Sequence, residues 1–91
     1  MELKTGRVVY SKAGRDKGYF LVITKVCENY VLVADGKERP LERPKRKNTK
    51  HIGVTKAVLD NGSMSTNRAL RRSLQSFTNS PEMMQSEEEN K

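Results

Sequence analysis

Tyr19-Phe20-Leu21-Val22-Ile23 and Tyr30-Val31-Leu32-Val33-Ala34-Asp35-Gly36 are the stretches that decide the fold. Each opens with an uninterrupted apolar run rich in aromatic and β-branched side chains, and each is closed by turn-forming residues, Cys27-Glu28-Asn29 after the first and Asp35-Gly36 after the second. Runs this short between turn signals are strands, because a helix needs about ten or more residues with an apolar face recurring every turn. Working outward, Val8-Val9-Tyr10 behind Gly6 predicts a strand before them, and residues 19–26 and 30–34 predict two more. Asp35-Gly36 is a strong hairpin signal. It predicts a fourth extended segment running through Leu41, which Pro40 and Pro44 confine to an edge or a bulge because neither can donate to a ladder. A short closing strand is expected near residues 51–54. A meander of such short strands is marginal when flat, so the sheet is expected to curl into a small barrel. The inward phase of the second strand stays open, since both faces of Phe20-Leu21-Val22-Ile23 are apolar.

Past residue 54 the pattern changes. Val58-Leu59 fits extended or coil structure, and Asp60-Asn61-Gly62 predicts a turn. Ser65 and Thr66 are N-cap candidates. Leu70, Leu74 and Phe77 then fall at helical spacing, with Arg68, Arg71 and Arg72 largely on other faces. One helix of about three turns is expected, ending near Phe77 and stopped by Ser80-Pro81. From Thr78 onward only Met83 and Met84 are apolar, and Glu87-Glu88-Glu89 accumulate charge. A disordered acidic tail is expected there. The division is therefore a barrel over 1–56, a linker and a helix packed on it over 57–77, and a tail over 78–91.

Of the 91 residues only 19 are Leu, Ile, Val or Phe, but 16 of the 29 positions from 6 to 34 are apolar. One small core fits this distribution; a large catalytic cleft does not. The single cysteine, Cys27, excludes an internal disulfide and a Cys-rich zinc site. It sits beside Glu28, which disfavours the thiolate, and is expected to be inert. His51 is the only histidine and has no cysteine or carboxylate at ligand spacing. No nucleophilic triad and no carboxylate pair stands out, so a non-enzymatic protein without metal or cofactor is expected. No apolar run approaches the length of a bilayer span, and the polar residues after Met1 lack a signal-peptide core. A cytoplasmic monomer is the expectation.

Charge is the functional signal. The formal net charge is +7, and its excess lies entirely in the first 56 residues, with 14 Lys/Arg against 6 Asp/Glu. Two clusters carry it. Lys12-Ala13-Gly14-Arg15-Asp16-Lys17-Gly18 joins the first two strands, and Gly14 and Gly18 point to positive φ or a close approach there. Amides freed at such bends, with Lys12, Arg15 and Lys17, suit phosphate oxygens; the spacing is not that of a Walker loop. The second cluster is Arg43, Lys45, Arg46, Lys47 and Lys50, followed by His51, where arginine forks and lysine point charges suit a polyanion. The plainer alternatives are a polar hairpin loop and a solvated charge run. Tyr10, Tyr19 and Tyr30 fit either stacking on unpaired bases or a place in the core and rim. The Leu70, Leu74 and Phe77 stripe fits core packing or a docking face for a partner.

Gly6-Arg7-Val8-Val9, Ala13-Gly14-Arg15-Asp16-Lys17-Gly18 and the run from Tyr30 to Asp35-Gly36 together resemble a KOW motif, with Gly18 at its characteristic glycine. The continuation Arg43-Pro44-Lys45-Arg46-Lys47-Asn48 through His51, with Gly62 before a helix, resembles the archaeal and eukaryotic large-subunit ribosomal proteins of the fourteen-e type. Over residues 6–77 the chain is similar also to short bacterial KOW-domain RNA-binding proteins. The resemblance implies an SH3-like barrel of the KOW type, with RNA, foremost ribosomal RNA, as the ligand. Its contacts would be Lys12, Arg15, Lys17, Arg43, Lys45, Arg46, Lys47, Lys50 and His51, with Gly14, Gly18, Asp35 and Gly36 as structural motif residues. Ribosomal or translation-factor proteins are implied as further partners. The alternative is an SH3-like protein-interaction module that contacts a transcription or translation factor through the helix or a strand edge. A fold-back of Glu87-Glu88-Glu89 over the basic segment, in competition with RNA, is a further expectation.

Overall fold

The computed structural model describes residues 2–15 and 17–78. Five strands follow one another: β1 (Arg7–Ser11), β2 (Phe20–Val26), β3 (Tyr30–Ala34), β4 (Lys45–Asn48) and β5 (Ile52–Val58). A single 3₁₀ turn, Thr49–His51, separates the last two. All pairings are antiparallel, in the order β4-β3-β2-β1-β5. Two strands lie between β3 and β5 in that order, yet Val31 and Val33 share one buried cluster with Ile52, Val9, Leu21 and Ile23. A flat sheet would keep β3 and β5 about 14 Å apart, at roughly 4.8 Å per strand. The sheet therefore curls around this cluster, forming a small barrel-like fold as expected.

The second buried cluster settles the phase of β2. Leu21 and Ile23 point into the barrel, whereas Val22 joins Val8 and Ala34 on the outer face beneath Leu70 and Leu74, with Phe20 packed alongside. Both faces of β2 are covered, one by the sheet's own curl and one by a helix. That is why its sequence shows no polar alternation. The covering helix, α1 (Asn67–Thr78), begins where expected: the Thr66 hydroxyl accepts from the Ala69 amide at 3.0 Å, an N-cap bond. Leu70 and Leu74 are buried, and Phe77 packs against the same cluster. Each fully buried leucine contributes about 1.5–3 kcal/mol. The apolar stripe is core, so it offers no docking face.

Two expectations are corrected. No extended segment runs through Leu41: residues 37–44 form turns and bends, and the fourth strand is Lys45–Asn48 itself. The cause is local. The Asp35 carboxylate accepts from the amides of Lys37 and Arg39, at 2.8 and 2.9 Å, which bends the chain away from a tight hairpin. Gly36 sits at φ 81°, and a Cβ there would lie 2.3 Å from the Asn67 carbonyl oxygen, so the helix start packs directly on its backbone. The Asn67 side chain completes the anchor: its Oδ1 accepts from the Leu41 amide at 2.7 Å and its Nδ2 donates to the Glu42 carboxylate at 2.6 Å. That donation holds the Glu42 carboxyl below its usual range. The final strand, expected near residues 51–54, runs from Ile52 to Val58, past the boundary expected at residue 56.

A register shift between Arg7 and Val9 marks a bulge against β5, where the Thr55 hydroxyl donates to the Val8 carbonyl at 2.7 Å. The Tyr10 ring lies over Gly53, its cross-strand partner, leaving no room for a Cβ. Among the described residues no helix is long and apolar enough to cross a membrane. The acidic tail expected over 78–91, with its fold-back, lies outside the described residues except for Thr78, which closes α1.

Candidate functional site

The loop between β1 and β2 is shaped by its glycines. Gly14 and Gly18 have φ of 81° and 89°, as their place in the sequence predicts. Nothing lies within 4 Å of a Cβ built on Gly18, so the backbone conformation, not a close approach, requires glycine there. The Gly18 amide donates to the Ser11 carbonyl at 2.8 Å and the Lys17 amide to Gly14 at 3.2 Å, which closes the loop on itself. Lys12, Arg15 and Lys17 are left exposed around its rim.

Two hydrogen bonds join this loop to the second basic element. The Lys12 amide donates to the His51 carbonyl at 2.8 Å, and the Lys47 ammonium donates to the Ala13 carbonyl at 3.0 Å. The two clusters are thus neighbours at one end of the barrel, where Lys50 and His51 are also exposed. Asn48 sets the 3₁₀ turn by accepting from the Lys50 amide at 2.8 Å. The side chains of Lys12, Arg15, Lys17 and Lys50 have no hydrogen bond or ion pair with another described residue. Cations without a partner among the described residues are available to an external anion.

The run 43–50 does not act as one patch, because part of it is a strand. Lys45 and Lys47 pair with Val33 and Val31, and Arg46 with Leu32. The pleat therefore sends Lys45 and Lys47 toward the inner face and Arg46 and Asn48 outward. Lys47 is only 7% exposed, its stem packed inside and its ammonium on the Ala13 carbonyl. It ties the loop to β4, whereas Arg46 is exposed. The Arg46 guanidinium lies over the Tyr30 ring at 4.0 Å from its centroid. A hydrogen bond with the Cys27 side chain raises the Tyr30 phenol above its ordinary range. Arg43 is exposed in the loop before β4, its amide donating to the Pro40 carbonyl at 3.0 Å. At the edge of the sheet, a basic strand also discourages pairing with another chain.

The three tyrosines separate by environment. Tyr10 is half-buried over Gly53 and edge-on to Phe20, and Tyr30 is covered by Arg46. Tyr19 is 57% exposed and lines an open groove of ≈ 390 Å³ beside α1. Arg71 and Arg72, which helical spacing places off the apolar stripe, line the same groove. Helix periodicity showed that they face away from the core; it carried no signal of what they face. Among the described residues, no group of three or more His, Cys, Asp or Glu side chains is placed to hold a metal ion. Compared with known proteins, the chain matches no family model and no curated protein.

Proposed function

We propose that this protein is a non-enzymatic RNA-binding module that engages ribosomal RNA, free or within the ribosome, through the end of the barrel carrying Lys12, Arg15, Lys17, Lys50 and His51. The observation that carries the reading is the pair of hydrogen bonds, Lys12 to His51 and Lys47 to Ala13, that hold both basic elements side by side. One polyanion can then reach both without rearrangement. The KOW-like residues of the first three strands support the same ligand. Arg43 and Arg46 extend the positive surface along β4, while Lys45 and Lys47 face inward and Lys47 serves as the strut beneath it. Recognition rests on backbone charge and shape, since base-reading side chains are scarce at this end.

The test is binding of ribosomal RNA fragments across a salt series, with the triple variant Lys12→Ala, Arg15→Ala, Lys50→Ala beside the parent chain. Each phosphate contact contributes about 0.7–0.9 to the slope of log affinity against log salt. The triple variant should therefore lower that slope by about two to three. A flat salt response in the parent chain, or an unchanged slope in the variant, defeats the proposal. Association with ribosomes that survives nuclease treatment favours the protein-interaction reading instead.

A further inference from the structure

We infer that the groove between Tyr19 and α1 takes an unpaired nucleotide of the bound RNA, its base stacked on the Tyr19 ring and its phosphate held by Arg71 and Arg72. The inference rests on the RNA-binding reading and adds a second, chemically different contact to it. Tyr19 follows Gly18 directly, so the groove opens where the basic loop ends. A strand lying along Lys12, Arg15 and Lys17 would enter it next.

Three observations single out this place. Tyr19 is the tyrosine whose ring is left open: Tyr10 is packed on Gly53 and Tyr30 is covered by Arg46. An aromatic this exposed carries no core packing, yet its flat face suits a base, since every base has a stacking surface. The groove, at ≈ 390 Å³, is also of the size that holds small ligands, roughly 300–1,000 Å³. Phe20 and Leu74 supply apolar lining beside Tyr19, and Lys37, Arg71 and Arg72 supply cations. The side chains of Arg71 and Arg72 have no hydrogen bond or ion pair with another described residue. The groove carries two carboxylates as well. Asp35, whose carboxylate accepts from the Lys37 and Arg39 amides, and Glu38 together face three cations, which leaves the lining one positive charge in excess.

The experiment compares two probes on the full chain, a single-stranded adenosine decamer and a blunt RNA duplex without unpaired bases. Stacking of one base on an aromatic side chain corresponds to about a 5- to 150-fold change in affinity on alanine substitution. Tyr19→Ala should weaken the single strand within that range and leave the duplex within about twofold, and Tyr19→Phe should restore the single strand. Arg71→Ala with Arg72→Ala should reduce the salt slope for the single strand by about one to two. Tyr19→Ala that binds the decamer as tightly as the parent chain, or Tyr19→Phe that is no better than alanine, overturns the stack while leaving loop binding to the duplex intact. A parent chain that binds neither probe overturns both readings together. Because Tyr19 is exposed, the melting temperature of each variant should match the parent, which separates lost stacking from lost fold.

Discussion

Lys47→Met separates the strut from the contacts it supports. The lysine stem is buried on the inner face of β4 and methionine fills nearly the same space, so packing is kept. What disappears is the ammonium bond to the Ala13 carbonyl. A hydrogen bond to a charged group contributes about 1.5–3 kcal/mol. Two effects reduce the loss: the carbonyl keeps its bond from the Ser11 hydroxyl at 2.8 Å, and a mostly buried charge no longer needs desolvating. A net loss of about 1 kcal/mol follows, equivalent to a fall of about 4–8 °C in melting temperature for a domain of this size. Thermal unfolding followed by circular dichroism reads that shift. RNA titration across about 50–200 mM salt reads the other half: affinity falls as the loop loosens, but the slope stays at the parent value because no phosphate contact has gone. Lys50→Ala is the mirror image, with the melting temperature unchanged and the slope lower by about 0.7–0.9. If Lys47→Met melts like the parent chain and lowers the slope by that amount, Lys47 is a phosphate contact and the strut assignment is wrong.

Gly36→Ala places a methyl group at positive φ against the Asn67 carbonyl oxygen and the Arg71 amide, which are backbone atoms that cannot swing aside. It should destabilise the fold by more than about 1 kcal/mol and loosen α1, seen as faster amide hydrogen exchange in the helix than in the barrel strands; uniform exchange rates would contradict this. Glu42 gives a pH signature. Its folded carboxyl titrates below the unfolded one, so its contribution is fully present above the unfolded value and is lost as pH falls through the folded value. Glu42→Gln keeps an acceptor for Asn67 but removes the titration, so the parent's stability relative to the variant should be constant above the ordinary glutamate range and fall on acidification below it. Parallel profiles would rule out the Asn67 pairing as its cause.

Local signals were enough for much of this protein. Short β-branched runs between turn residues specified the strands, the Leu70, Leu74 and Phe77 spacing specified the helix, and Ser65-Thr66 marked its start, because each depends on neighbours within a few residues. Positive φ at Gly14 and Gly18 was legible for the same reason. Other features depended on what meets across the fold. The phase of β2 was hidden because both faces are buried, one by the barrel and one by α1. The loop over residues 37–44 replaced a tight hairpin because Asn67, far along the chain, anchors Leu41 and Glu42. Most consequential is β4. As a string, 45–47 is a uniform run of cations; once paired with β3, its pleat turns Lys47 inward and Arg46 outward. Composition determined that this protein is positively charged over its first 56 residues, and only the pairing of strands decided which of those charges face solvent.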